Sequence, residues 1–153
     1  MTFESLGLHI SVIKSLTEAG YTKPTSVQEQ AIPAAIAGRD LLVSSQTGTG
    51  KTAAFVLPAL HNFILEQEND VNVVNKIRTQ DRVRSERPRF KPAQPKMLVL
   101  TPTRELALQV TSATEKYGLH TRRIRAMSIL GGMPYPKQMQ LLSKNPDILV
   151  ATP

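Results

Sequence analysis

The sequence predicts an α/β fold in which a parallel β-sheet is flanked by helices, and three observations carry that prediction. Four short apolar runs, Asp40 to Ser44 (DLLVS), Met97 to Thr101 (MLVLT), Ala126 to Leu130 (AMSIL) and Asp147 to Ala151 (DILVA), have the length and continuous apolarity of buried strands. Helical patterns separate the runs, and strands that alternate with helices pair in parallel because each return to the sheet needs a crossover. The first run leads straight into a glycine-bearing turn and then a helix, which is the arrangement that places a phosphate at a helix N-terminus.

Taken in order, Leu8, Val12, Leu16 and Ala19 recur at helical spacing. Ser11 is the expected cap of that helix, and Gly20 stands where a left-handed terminating residue belongs. Thr25-Ser26-Val27-Gln28 then matches a capping box that opens a second helix. Ala31, Ile32, Ala35 and Ile36 supply its apolar face, Pro33 lies inside it and Gly38 ends it. After the Asp40–Ser44 strand a helix runs from about Gly50 to Glu66, and further helices are expected over Arg104–Tyr117 and Pro136–Leu142. Residues 67–96 break the rhythm: they are polar, carry prolines near the end, and are expected to form a mobile insertion.

Composition bounds the function. A chain of 153 residues with 41% hydrophobic residues can bury one domain core. Cysteine is absent, which excludes disulfides, cysteine-ligated metals and a cysteine nucleophile and suits a reducing compartment. No apolar run approaches the roughly 20 residues of a membrane span, and residues 1–20 lack the pattern of a signal peptide, so the expected location is the cytoplasm with no membrane partner. The net charge of +7 is uneven. Lys76, Arg78, Arg82, Arg84, Arg87, Arg89, Lys91 and Lys96 face only Asp81 and Glu86 in one stretch of the insertion, leaving the rest of the chain nearly neutral.

The turn after the first strand reads Ser45-Gln46-Thr47-Gly48-Thr49-Gly50-Lys51-Thr52. Gly48 and Gly50 let backbone N–H groups face phosphate oxygens, and the following helix start favours an anion. Lys51 is expected to neutralise the β- and γ-phosphates, and the Thr52 hydroxyl to serve as one ligand of Mg²⁺, a hard cation completed by phosphate and water oxygens. The general phosphate-loop pattern has glycine where this chain has Ser45. A small residue followed by any residue and then Thr-Gly-x-Gly-Lys-Thr resembles motif I of the superfamily 2 helicases, whose usual first residue is alanine.

Upstream, Gly20-Tyr21-Thr22-Lys23-Pro24-Thr25-Ser26-Val27-Gln28, with Phe3 as an isolated aromatic before it, resembles the Q motif of the DEAD-box RNA helicases. The resemblance implies that Phe3, Tyr21, Lys23 and Gln28 form the base-binding side of an ATP site. An amide offers adenine both a donor and an acceptor, and a phenyl ring offers a stacking face, so Gln28 and Phe3 would select ATP over GTP. Gln28 is at the same time the capping-box partner of Thr25, and Phe3 a candidate core anchor.

Pro102-Thr103-Arg104-Glu105-Leu106-Ala107 resembles motif Ia of the same family, Gly131-Gly132 its GG element, and Thr152-Pro153 the start of motif Ib. The chemistry suits a sugar–phosphate track: a guanidinium, a hydroxyl and helix-start N–H groups hold phosphates, and glycines admit a backbone closely, with no base being read. The family's Asp-Glu-Ala-Asp motif, which supplies the carboxylates for Mg²⁺ and the attacking water, does not occur in these residues. The expectation is therefore a RecA-like domain ending before its Walker B strand, which binds ATP and RNA without hydrolysing ATP by itself. The resemblance further implies a bacterial, RhlE-like member whose whole chain remodels RNA, with ribosomal or mRNA-decay assemblies as partners. Two other classes remain open from the residues: a phosphate-loop ATPase or kinase with no nucleic-acid role, and a non-enzymatic RNA-binding chain that uses the basic insertion as an arm.

Overall fold

A computed structural model of the chain describes residues 1–77, 92–121 and 124–153. The chain opens with one 3-10 turn, Phe3–Leu6, closed by Gly7 in the left-handed region (φ 78°). Helix α1 spans Ile10–Glu18 and starts two residues earlier than a Ser11 cap would place it, because His9 is the cap: its Nδ1 accepts the Ser11 N–H. Helix α2 spans Ser26–Ile36 with the expected capping box between Thr25 and Gln28.

Helix α3, Lys51–Ile77, extends well beyond the apolar stretch that predicted it. It reaches into the segment expected as an insertion, while residues 78–91, which hold most of the basic run, lie outside the described residues. Strand β1 (Met97–Leu100) leads to α4 (Arg104–Tyr117), β2 (Ala126–Ile129), α5 (Tyr135–Leu142) and β3 (Ile148–Ala151). The three strands form one parallel sheet in the order β1-β3-β2, with Met97 and Ala126 both opposite Ile148.

The last strand in sequence is the central one, so it is the strand the core packs on. Ile148 and Val150 are fully buried and join Val12, Leu16, Ile32, Val56, Leu57 and Leu60 from α1, α2 and α3. Burying each such side chain contributes about 1.5–3 kcal/mol. Alternation sends Leu98 and Leu100 of β1 to the other face of the sheet, where they stay exposed. Buried hydroxyls are satisfied locally: Thr114 donates to Val110 O, and Ser15 donates to Ser11 O while accepting from the His120 backbone N–H.

The expected first strand is corrected. Residues 40–46 form no strand, and Leu41, Leu42 and Val43 are exposed. Apolarity makes a segment eligible for a sheet, but a strand exists only through a ladder with a neighbour, and among the described residues no strand pairs with this one.

Candidate functional site

The glycine turn stands between residues 40–46 and α3, as the sequence order requires. Gly48 (φ 81°) and Gly50 (φ 88°) both take the left-handed backbone that other residues avoid. Lys51 begins α3, and Thr52 follows it inside the helix. Both are half-buried, and they share a cavity of about 410 Å³ with Thr101 at the end of β1. Lys51 Nζ donates to Gln46 O at 2.7 Å and also to Ser45 O.

The Q-like segment is bonded directly to this loop. Gln28 is buried at 5% exposure; its Oε1 accepts the Thr25 N–H at 3.0 Å and its Nε2 donates to Gly50 O at 3.2 Å. Thr25 Oγ1 donates to Thr49 O at 2.8 Å. The capping box that starts α2 is therefore also the clamp that holds the loop. Each of these side-chain amide groups has capacity for a second bond, since the amide nitrogen carries two protons and the carbonyl oxygen two lone pairs. Any larger residue at Gly50 would have to displace the Gln28 amide, because a Cβ there would lie 2.2 Å from Gln28 Nε2.

The aromatic candidates sit apart from the loop. Phe3 is buried at 4% exposure in the core cluster, which fits the anchor reading of that residue. It lines a small hollow with Thr2, Ile13, Thr17, Tyr21 and Thr22, none of which belongs to the loop. Tyr21 is partly exposed, meets Tyr117 edge to face with ring centroids 5.8 Å apart, and carries the Lys116 ammonium 4.9 Å above its ring. Burial first, and the hydrogen bond with Tyr21 second, push the Tyr117 phenol up to about 12. Lys23 is exposed on the loop before α2. The structure thus joins Gln28 to the glycine loop, while Phe3 is buried in the core and Tyr21 and Lys23 are exposed.

The second group of candidates converges because parallel strands place their carboxyl ends on one edge. Pro102, Thr103, Arg104 and Glu105, all exposed, follow β1; Gly131 and Gly132 follow β2; Thr152 and Pro153 follow β3. Thr103 caps α4, its Oγ1 accepting the Leu106 N–H. Gly131 N–H donates to Thr152 Oγ1 at 3.0 Å, tying the second group to the third. Gly132 (φ 78°) approaches the first group so closely that a Cβ there would lie 3.6 Å from Arg104 Nη1. Arg104 makes no ion pair among the described residues, so its guanidinium is available to an anion. Glu105 lies in the first turn of α4, where a carboxylate complements the helix dipole.

Two residues escape the sequence reading. Thr25 is recognisable as a cap, but its bond to Thr49 depends on α2 lying beside the loop, and no local pattern reports that. Gln138 donates to Met133 O at 2.8 Å and so fixes the turn after Gly132; its only signal is the polar face of a short helix. Among the described residues no cluster of His, Asp and Glu could hold a metal by itself, and no helix is long and apolar enough to cross a membrane.

Residues 25–153 match the DEAD/DEAH box helicase family model. The DEAD-box ATP-dependent RNA helicase RhpA of Helicobacter pylori is 40% identical over 152 residues, covering 99% of this chain and 25% of that protein. The ATP-dependent RNA helicase SrmB of Escherichia coli is 40% identical over 151 residues, covering 99% of this chain and 29% of its own length. The ATP-dependent RNA helicase DeaD of Buchnera aphidicola is 40% identical over 153 residues, the whole of this chain and 21% of that protein. The chain thus spans about a quarter of the length of the curated relatives it matches. By the extent of the family match and the identity along its whole length, the chain belongs to the DEAD/DEAH box helicase family.

Proposed function

We propose that this chain supplies the ATP-binding and RNA-tracking surfaces of an ATP-dependent RNA helicase. One observation carries the nucleotide half: Gln28 and Thr25 are hydrogen-bonded to the loop that bears Lys51 and Thr52, so a base reader and a phosphate cradle form one connected unit. Gln28 reads adenine through the second proton of Nε2 and the second lone pair of Oε1, and Tyr21, Lys23 and Phe3 shape the base side. Ser45, Gln46, Thr47, Gly48, Thr49 and Gly50 wrap the phosphates, and Lys51 neutralises them. The Thr52 hydroxyl fits Mg²⁺ in donor chemistry: it is a hard oxygen, half-buried, lining the cavity with Lys51. Mg²⁺ there would screen the charge of the phosphate oxygens.

The RNA half rests on the convergence of Arg104, the Gly131–Gly132 turn and Thr152. A cation, an approachable backbone and a hydroxyl along one edge suit a sugar–phosphate chain read without base contacts. In the whole protein, ATP binding would favour clamping of RNA, and hydrolysis its release, so that short duplexes open. The names of the relatives support RNA as the substrate; ribosomal or mRNA-decay assemblies, and a cytoplasmic setting, are proposed on resemblance. A salt titration of RNA binding tests this half. Neutralising one phosphate contact by Arg104→Ala should lower the slope of log K against log salt by about 0.7–0.9. An unchanged slope and affinity would remove Arg104 from the track.

A further inference from the structure

The loop Ser45–Thr52 is closed on itself by its own side chains. Thr49 Oγ1 donates to Gln46 O at 2.7 Å, and Ser45 Oγ lies 2.7 Å from the same Thr49 oxygen. A hydroxyl has one proton, and that of Thr49 is committed to the Gln46 carbonyl, so Ser45 is the donor in the second bond. Lys51 Nζ adds a further bond to Gln46 O and one to Ser45 O. The Gln46 carbonyl therefore accepts a hydroxyl and an ammonium at once, both arriving from the loop's own far side. A phosphate entering a loop in this state meets a partial negative charge in place of N–H groups, and meets a lysine already engaged.

Phosphate binding consequently requires the Gln46 peptide to turn outward and Lys51 to let go of it. The Ser45 hydroxyl opposes that change, because it aims the Thr49 hydroxyl at Gln46 O. We propose that Ser45 is an affinity-setting positioning residue: its hydroxyl latches the loop shut through Thr49, and the nucleotide binds against that latch. The inference rests on the reading of this loop as the nucleotide site. It concerns a residue at which the chain departs from the alanine usual in the motif it resembles, and alanine has no proton to donate.

The test is stopped-flow and equilibrium binding of the fluorescent analogue mant-ADP to the protein and to three variants. Ser45→Ala should bind roughly two- to tenfold more tightly, the range that one net hydrogen bond of the latch supplies. The gain should appear in the association rate, because the latch exists before the nucleotide arrives. Thr49→Val removes both hydroxyl bonds and should shift affinity in the same direction. Lys51→Ala should weaken binding whatever the latch does. Affinity of Ser45→Ala equal to or weaker than that of the parent, with Lys51→Ala weakened, would overturn the latch and leave the nucleotide site standing. Unchanged binding in Lys51→Ala would overturn both.

Discussion

Replacing Gly50 by alanine introduces a single methyl group at the point where base reader and phosphate loop meet. Its Cβ would lie 2.2 Å from Gln28 Nε2, 3.2 Å from Gln28 Cδ and 3.4 Å from Thr25 Oγ1. Two costs follow. The left-handed backbone at φ 88° costs an alanine about 1–2 kcal/mol. The clash is with the far end of a side chain, which can swing away, but only by giving up its bond to Gly50 O, worth about 0.5–1.5 kcal/mol net. The two effects together destabilise the loop by about 1.5–3.5 kcal/mol. The assay is a double-mutant cycle read by urea unfolding and by mant-ATP binding. In a Gln28→Ala background the methyl group has room, and Gly50→Ala should cost only its backbone strain, so the two changes should be less than additive by about 0.5–1.5 kcal/mol. Full additivity would refute the direct contact on which the linkage is built.

Other outcomes are equally definite. His61 is buried, and its imidazole is held below the ordinary value of 6.5, by burial first and by neighbouring His9 second. The unfolded chain then binds the proton more readily, so the stability due to neutral His61 is complete above about pH 6.5 and falls as pH drops below it. A His61→Leu variant should flatten the loss of urea midpoint between pH 7 and pH 5.5; an unaltered slope would contradict the assignment. Val150→Ala, at a fully buried position of the central strand, should cost about 2–4 kcal/mol in chemical denaturation, and a cost below 1 kcal/mol would mean that β3 is not the floor of the core. Lys96→Ala breaks an exposed pair with Glu66 at 2.6 Å and should cost under about 1 kcal/mol, a loss that vanishes in high salt.

Much of the architecture was legible because it follows from short-range rules. The capping box at Thr25, the left-handed turns at Gly20 and Gly38, and the bounds of α4 are all written in local spacing. The segment Asp40–Ser44 shows the limit of such rules: its apolarity is local, but a ladder is not, and among the described residues no strand pairs with it. Helix α3 exceeded its expected end because its second half lacks an apolar stripe, and continuation of an existing helix costs far less than starting one. At the proposed site, the left-handed turns at Gly48 and Gly50 and the helix start at Lys51 were readable from local sequence. The links between segments were not. The bond from Gln28 to Gly50 spans 22 residues, the bond from Gly131 to Thr152 spans 21, and both arise from packing that no single segment encodes.

In the proposed function, one nucleotide site is assembled from α2 and the loop before α3. Equilibrium titration of mant-ATP in the presence of Mg²⁺, with unlabelled ATP and GTP as competitors, tests it most directly on the parent protein, Lys51→Ala and Gln28→Ala. Binding should be at least tenfold weaker in Lys51→Ala, since a charge-assisted contact contributes about 1.5–3 kcal/mol. Gln28→Ala should lose the preference for ATP over GTP. Binding that is unaltered in both variants, or a preference for ATP that survives without the Gln28 amide, would contradict it.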